Sequence, residues 1–501
     1  MIARGARFAL LGLVLAAAAG CDTTIHVDSL LDENSSSAAN GTCTLREALV
    51  AANSNAAVDT CIAGQAGADV ISLPAGTIAL TLTGATDDTG DLDLLQDVSL
   101  VGAGADVTIV DASAVGDRVI DVAAGVTAQL TDLTVRGGSL VGGVGALVRG
   151  GGVLNAGSLT LTRAAVRDNA LHTGEPTLYG GIDNHSEGGG VWSSGTLALV
   201  DSEVTGNVAQ GGPGGATCLS LSCYTFPGGQ GRGGGVFASG PVTITRSTVS
   251  GNTARGGAGR AANPGGFPGY YLQSGGGTAV GGGVRVTSTA ALAIERSTVA
   301  DNAAVGGIGG AGLTSPIYLV GAAGGAASAG ALGADSPVTL VNSTVTGNSA
   351  AGGAGGAPDG PSGGASGGAL AASAGVALAH TTLSSNAGGA EVAVGAGTST
   401  VANSVLAASC SGLAGASLGG NVESPGDTCG LTESDDLANV SGAALELGAL
   451  ASNGGPTQTQ AITATSAAAG AGRVASCLPT DQRGVARPAS GCDSGAFEVS
   501  E

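Results

Sequence analysis

The densest group of acidic side chains lies between positions 87 and 93 of the 501-residue chain. Asp87, Asp88, Asp91 and Asp93 all fall within this short segment. Carboxylate oxygens are the ligands that calcium prefers, so the segment is a candidate calcium site. The ligand spacing is loose, however, and the same residues suit a solvated turn before an apolar strand at Leu92. The sequence favours the turn, with calcium as the alternative.

Two histidines lie among acidic residues in the first long insertion of the chain. His172 and His185 flank Glu175, Asp183 and Glu187. Such groups can bind a metal or exchange protons in acid–base catalysis. Their spacing matches no established ligand pattern, and no pair of cysteines forms a CxxC motif. We therefore predict no metal and no cofactor, and we interpret the histidines as surface residues of a loop.

The tyrosines form a third group, because all five lie in Gly-rich insertions. Exposed aromatic rings can stack on sugar rings or anchor a protein partner. The alternative is that each ring packs on its own loop. We predict a row of binding residues along one edge of the molecule, namely Tyr179, Tyr224, Tyr270, Tyr271 and Tyr318.

A repeated phrase must position these residues. It reads GGGVLNAGSLTLTRAAVRDN at 150–169 and GGGVWSSGTLALVDSEVTGN at 188–207, and later copies end at Asn252, Asn302, Asn348 and Asn386. Apolar residues alternate within a fixed register, which is typical of one turn of a parallel β-solenoid. Such turns bury their apolar side only by stacking. The recurring Asn residues predict stacked turns that bond backbone groups.

The pattern divides the chain into four segments. Residues 1–20 are typical of a secretory signal, and 21–67 contain a helical pattern at Thr44–Asn53 between Cys43 and Cys61. This helix predicts a cap over the first coil. Residues 68–409 carry the strands and repeats with their Gly-rich insertions, and 410–501 predict a C-terminal cap module.

Cysteine usage and charge indicate export. Residues 18–21 resemble a bacterial lipoprotein box that would leave Cys21 lipidated, although ordinary signal cleavage also fits. The remaining eight cysteines form four local pairs that are disulfide candidates: Cys43/Cys61, Cys218/Cys223, Cys410/Cys429 and Cys477/Cys492. The net charge is −21 and Lys is absent, which argues against nucleic acid or anionic lipid as partners. We expect a membrane association only through the lipid.

Three segments together resemble known families. Residues 43–48 (CTLREA) resemble the CSLREA motif of secreted bacterial proteins. The phrases that end Ser-Thr-Val-x-x-Asn resemble the right-handed parallel β-helix repeats of pectin-lyase-like and polymorphic outer-membrane-type proteins. Residues 453–457 (NGGPT), 481–484 (DQRG) and 492–498 (CDSGAFE) resemble the choice-of-anchor Q domain. The resemblance implies an all-β, right-handed parallel β-helix at the cell surface or secreted, and it brings no catalytic residues.

Some pectin-lyase-like relatives cleave polysaccharides, so catalysis must be weighed. Elimination needs a base, often Lys or Arg, and hydrolysis needs two acids at a set separation. Lys is absent, and Arg163, Arg246 and Arg296 recur at equivalent repeat positions, which indicates structural roles. We therefore expect a protein that is not an enzyme, with no catalytic residue. The predicted function is binding, adhesion or structure at the cell envelope, with a cell-surface polysaccharide or another surface protein as partner. A polysaccharide lyase or hydrolase is the alternative.

Overall fold

A computed structural model describes residues 24–36, 39–86, 88–143, 146–174, 184–219, 222–264, 271–287, 290–314 and 319–500. Short strands follow one another around a coil, and each strand pairs in parallel with the equivalent strand of the next coil. Five parallel sheets result, which we number 1 to 5. The predicted right-handed parallel β-helix is confirmed.

Sheets 1, 2 and 3 enclose the main core. The strands of sheet 1 are Thr24–His26, Asp69–Ser72, Val98–Val101, Thr127–Thr131, Ser158–Thr162, Thr196–Val200, Val242–Thr245, Leu292–Glu295, Val338–Val341, Val376–Ala379 and Thr400–Ala402. Those of sheet 2 are Gly76–Ala79, Thr108–Asp111, Thr134–Arg136, Ala165–Arg167, Glu203–Thr205, Thr248–Ser250, Thr298–Ala300, Thr344–Thr346, Thr382–Ser384, Val405–Ala407 and Val422–Glu423. Those of sheet 3 are Leu92–Leu94, Ile120–Val122, Val153–Asn155, Val191–Ser193, Val236–Ala238, Val284–Val286, Leu332–Ala334, Leu370–Ala372, Val392–Val394 and Cys410–Ser411. Alternate aliphatic side chains of these strands point inward and are buried, which explains the period of two in the sequence.

Sheets 4 and 5 form a fin between sheets 2 and 3. The strands of sheet 4 are Ser139–Gly142, Ala170–Thr173, Val208–Gln210, Thr253–Arg255, Ala303–Val305 and Ser349–Ala351. Those of sheet 5 are Val148–Arg149, Ser186–Glu187, Gly231–Arg232, Ala279–Val280, Ala327–Ser328 and Ala365–Ser366. The two sheets pack through a buried column of small side chains, Ala254, Ala279, Ala304, Ala327 and Ala350. Small residues let the two backbones approach closely, so the fin is thin.

The Gly-rich insertions extend the fin as packed backbone. Amides bond carbonyls of neighbouring extended segments, as from Gly257 to Gly229, Gly277 to Gly257 and Gly307 to Gly277, each at 2.8 Å. A Cβ atom at Gly307 would collide with the carbonyl of Gly257. Glycine is therefore required here for close approach between backbones. Among the described residues, three antiparallel strand pairs lie outside the coils: Gly215–Leu219 with Ser222–Phe226, Asn263–Pro264 with Tyr271–Leu272, and Leu450–Ala451 with Thr459–Gln460.

The recurring Asn residues form a ladder along the corner between sheets 2 and 4. The amide of Asn252 donates to Asn302 Oδ1 at 2.9 Å, and Asn302 donates to Asn348 at the same distance. The ladder runs from Asn169 to Asn386. Each Asn Nδ2 also bonds a backbone carbonyl, for example that of Val249. The prediction of stacked turns that bond backbone groups is confirmed.

Both ends of the β-helix carry extra elements. Helix α1 is Leu45–Ser54, begins with a capping box at Thr44, and lies beside the disulfide Cys43–Cys61. Helix α2 is Gly442–Leu445, and a short 3₁₀ turn follows at Val474–Ser476. The C-terminal residues pack on the outer face of sheet 2, where the buried Gln482 donates to Thr298 Oγ1 at 2.9 Å. The segment boundaries expected from the sequence stay a prediction.

Disulfides also join Cys410 to Cys429 and Cys477 to Cys492, as the local pairing predicts. Cys218 lies directly opposite Cys223 in its antiparallel pair, and the side chains of both lie outside the described part. Stable disulfides indicate an oxidising compartment. None of the described helices has the length and apolar character needed to cross a membrane. The leader and the lipidation of Cys21 lie outside the described residues and stay predictions.

Candidate functional site

The outer faces of sheets 3 and 5 meet at an inside corner, which we call the corner groove. Gly150 and its equivalents turn the chain sharply here, with a positive φ of 62° at Gly150. Side chains from the two sheets therefore face each other. Trp192 Nε1 on sheet 3 donates to Glu187 Oε2 on sheet 5 at 3.2 Å. The Arg149 guanidinium lies 4.6 Å from the centre of the Trp192 ring.

The floor of the groove is one row of outward residues on sheet 3. Consecutive coils place these residues directly beside one another, in the order Asp93, Asp121, Leu154, Trp192, Phe237, Arg285, Gly333, Ala371, Ala393 and Ser411. The row starts with acids, continues with large apolar and aromatic side chains, and ends with small residues. The groove is therefore shallow in its middle and deep towards its C-terminal end.

The wall of the groove carries paired charges. Glu187 is 4% exposed and bonds Arg232 at 3.0 Å and Arg149 at 3.3 Å. Arg232 Nε also donates to Gln230 at 2.8 Å. Two guanidinium groups thus satisfy one buried carboxylate, which holds both arginines in place beside Trp192.

The deep end of the groove is a cavity of about 480 Å³. It is lined by Arg285, Asp335, Ser328, Ser366 and Ser373, with alanines below them. Arg285 Nη2 bonds both oxygens of Asp335, at 2.8 and 2.7 Å. We call this cavity the serine pocket.

Sheet 3 continues for two strands beyond the first strand of sheet 5, and this continuation of the groove floor carries an acidic cluster of Asp91, Asp93 and Asp121. One carboxylate oxygen of each residue lies within 4.8 Å of the corresponding oxygens of the other two. Arg118 lies against two of them, with Nη1 at 2.9 Å from Asp121 and Nε at 3.4 Å from Asp91. All three carboxylates are only partly exposed.

The N-terminal cap positions this cluster. Arg46 of α1 is 1% exposed and donates to the backbone carbonyls of Gly90 at 3.0 Å and Asp91 at 3.1 Å. Its Nε is also 2.8 Å from Asp32. Because the guanidinium is buried and bonded in a fork, it fixes the chain just before the strand that carries Asp93.

The environment of the cluster favours a protonated carboxyl. Burial raises the pKa of Asp91 to about 7, with the nearby negative charge of Asp117 adding to the effect and Arg118 opposing it. Burial also raises the pKa of Asp121, again against the influence of Arg118. A carboxyl that holds its proton near neutrality beside other carboxylates can donate that proton in catalysis.

The same three carboxylates could hold a divalent cation. Calcium takes six to eight oxygen ligands, and the cluster offers three side chains. Arg118 already lies between Asp91 and Asp121 and neutralises part of their charge. The cluster therefore fits proton chemistry without a cation, and calcium remains the alternative stated from the sequence.

The sequence found only part of this cluster. Asp91 and Asp93 belong to it, whereas Asp88 bonds Ser35 at 2.7 Å and Asp87 lies outside the described residues. Asp121 and Arg118 were missed. The available signal was the alignment of LDL at 92–94 with IDV at 120–122, two strands of one sheet.

The histidines do not form a site with the groove. His172 lies on the outer face of sheet 4, on the other side of the fin, and is exposed. His185 Nδ1 accepts a bond from the backbone amide of Gln230 at 2.9 Å. Glu187 alone of this group reaches the groove, and Glu175 and Asp183 lie outside the described residues.

The predicted tyrosine row stays a prediction. Tyr224 is 55% exposed, on an antiparallel strand beyond the fin. Tyr271 begins a strand, but its side chain is not described, and Tyr179, Tyr270 and Tyr318 lie outside the described residues. The repeated arginines have structural partners, since Arg163 bonds Asp132 at 2.7 Å and Arg246 bonds Asp201.

Comparison with known proteins gives likenesses of fold alone. No family model matches the chain, and no curated protein sequence matches it. The CSLREA and choice-of-anchor Q resemblances therefore stay predictions. The solved structure of pectate lyase Pel9A aligns with a TM-score of 0.44 and 13% identity, over 95% of this chain and 97% of that one. The A-module of the Azotobacter vinelandii mannuronan C-5 epimerase AlgE4 aligns with a TM-score of 0.31 and 15% identity, over 79% and 90%.

These findings correct one expectation from the sequence. We expected a protein that is not an enzyme, because Lys is absent and the arginines recur. The comparisons contradict that expectation, since the two solved structures named above are those of enzymes, and at these identities the likeness is one of fold. The physical reason is that acid–base chemistry needs only carboxylates in suitable environments. At such low identity the likenesses assign no substrate and no residue.

Proposed function

We propose that the protein binds an extended polysaccharide along the corner groove and cleaves its glycosidic bonds at the acidic cluster. The observation that carries the proposal is Asp91, a partly buried carboxyl with a pKa raised to about 7 that lies with Asp93 and Asp121 on the continuation of the groove floor. Perturbed carboxyls that lie in clefts are typical of catalytic sites. This proposal keeps the polysaccharide partner expected from the sequence and replaces the non-enzymatic role.

The shape of the groove suits a chain of several sugar units. Asp121 and Arg285 are separated by four strand spacings in the floor row, or about 19 Å at the usual distance between strands. Trp192 lies between them and offers an aromatic surface on which a sugar ring can stack. The charged pairs of the wall offer both donors and acceptors to sugar hydroxyls.

The residues of the cluster have distinct roles in this proposal. Protonated Asp91 donates its proton to the oxygen of the leaving sugar as the glycosidic bond breaks. Ionised Asp121 or Asp93 stabilises the positive charge that develops on the other sugar, and water then supplies the new hydroxyl and returns a proton to Asp91. Oxygens within 4.8 Å are closest to the retaining arrangement, in which the two carboxyl groups are about 5–5.5 Å apart.

The test is release of new reducing ends from a panel of polysaccharides by the purified protein and by Asp91→Asn. We expect release by the native protein and a loss of about 10²- to 10⁴-fold in the variant, because it cannot donate the proton. Asp132→Asn is the matched control, since Asp132 is paired with Arg163 at another corner. Equal activity of Asp91→Asn and the native protein would contradict the proposal, as would the absence of product from every polysaccharide. Unsaturated products would assign elimination in place of hydrolysis.

A further inference from the structure

The serine pocket is deep because the floor row loses its side chains there. Trp192 and Phe237 give way to Gly333 and Ala371 in the same row. Gly333 itself is buried beneath Val280 and Arg285, since a Cβ atom there would lie 3.3 Å from Val280 and 3.4 Å from Arg285, whereas the neighbouring Ala371 lines the pocket. The pocket is therefore a place where a bound chain can seat one sugar unit against the floor.

The polar groups of the pocket are already balanced in charge. Arg285 bonds Asp335 through two short contacts, and Ser328, Ser366 and Ser373 surround the pair. Serine hydroxyls both donate and accept hydrogen bonds, and a carboxylate only accepts them. Such a set can satisfy the hydroxyl groups of a sugar without a net charge on the ligand.

The whole groove shows the same balance. Arg118, Arg149, Arg232 and Arg285 are each paired with carboxylates. Their partners are Asp91, Asp121, Glu187 and Asp335, and Asp93 and Asp117 add negative charge beside Asp91. The whole chain has a net charge of −21. A ligand with a carboxylate or a sulfate on each sugar would meet repulsion and would have to displace an existing ion pair.

We propose that the glycan of the corner groove is a neutral polysaccharide and that the serine pocket is the subsite for one of its uncharged, hydroxyl-rich sugars. This inference rests on the proposed function and adds its substrate class. Asp335 accepts hydrogen bonds from sugar hydroxyls and the serines both accept and donate them, while Arg285 keeps the Asp335 carboxylate in place. The same pair excludes uronate and sulfated sugars, because its cation is already neutralised.

The test is calorimetric titration with two sets of oligosaccharides of increasing length. One set contains neutral oligomers of glucose, xylose or mannose, and the other contains oligogalacturonate, oligomannuronate and a sulfated galactan oligomer. We expect affinity for a neutral set, with little change between low and high salt, and at least tenfold weaker binding of the anionic set. Tighter binding of an anionic set, with or without added calcium, would overturn the inference.

Variants locate the binding in the pocket. Asp335→Asn should weaken neutral binding about tenfold or more and, by releasing Arg285, should strengthen binding of the anionic set. Ala371→Leu should fill the pocket, which Ala371 lines, and weaken binding of the longer neutral oligomers. Asp201→Asn breaks the comparable Arg246–Asp201 pair on another corner and should change nothing. An unchanged affinity for neutral oligosaccharides in both pocket variants would overturn the assignment of the serine pocket as a sugar subsite. The salt dependence of binding to the native protein tests the charge argument without any variant.

The outcomes separate this inference from the proposed function. Neutral binding without new reducing ends would support the subsite and refute the cleavage. Cleavage of an anionic polysaccharide alone would refute the neutral substrate and support the cleavage. Binding of neither set would refute both.

Discussion

Replacement of Asn302 by alanine tests what holds the coils in register. The side chain is fully buried in the middle of the ladder. Its Oδ1 accepts from the backbone and side-chain amides of Asn252, at 3.0 and 2.9 Å, and its Nδ2 donates to Asn348 and to the carbonyl of Val249. Alanine removes all four bonds and fills none of the vacated positions.

The magnitude follows from the backbone groups that lose a hydrogen-bond partner. The backbone amide of Asn252 and the carbonyl of Val249 lose the bonds described here, whereas the Asn252 Nδ2 keeps its bond to Val204. Loss of a hydrogen-bond partner by a buried polar group costs about 1–3 kcal/mol, so for these two groups we expect Asn302→Ala to lose about 2–6 kcal/mol of the free energy of unfolding. Such a loss is a large part of the stability of most domains.

The assay is equilibrium unfolding in urea followed by circular dichroism, with Asp301→Gly as the matched control. Asp301 is exposed, has a positive φ of 56°, and has glycine at its equivalents Gly206, Gly251 and Gly347. The control should therefore keep the native free energy of unfolding within a few tenths of a kcal/mol. A loss of less than about 1 kcal/mol in Asn302→Ala would refute the view that the ladder stabilises the stack.

Three further predictions concern titration and the groove. His380 is fully buried, and burial lowers its pKa to about 3. The free energy of unfolding should therefore be highest above pH 6.5 and should fall by up to about 4–5 kcal/mol as the pH drops from 6.5 towards 3. Urea unfolding at a series of pH values measures this loss, and His380→Asn should make it smaller. Because Asp91 must be protonated to donate, glycan cleavage should fall about tenfold per pH unit above about 7, and a rate that rises there would contradict its role as the acid. Trp192→Ala should weaken glycan binding by about 1–3 kcal/mol in titrations, because the stacking surface is lost. An unchanged affinity would mean that the glycan binds away from Trp192.

The sequence predicted the β-helix because the pattern that buries the core is local. Each coil must alternate apolar and polar residues, and residues such as Leu159 and Leu197 recur in one register. The Asn ladder was predictable for the same reason, since every copy ends in Asn. The Gly-rich insertions were read as loops, because composition does not reveal that their amides bond one another in packed layers.

The corner groove was not predictable, because its residues meet through the stacking of coils of unequal length. Arg149 and Trp192 are distant in sequence and become neighbours only where a two-residue strand of sheet 5 turns into sheet 3. Arg285 and Asp335 likewise meet across coils. A single sequence gives no register for strands of two residues, so these contacts required the structure.

In the proposed function, the acidic cluster cleaves a glycan bound in the corner groove. The most direct measurement is the release of reducing ends from neutral polysaccharides by the native protein and by Asp91→Asn, with oligosaccharide binding measured on the same preparations. We predict product from at least one neutral polysaccharide with the native protein, and retained binding with a loss of about 10²- to 10⁴-fold in rate in the variant. Glycan binding with equal rates, or with no product from either protein, would contradict the account.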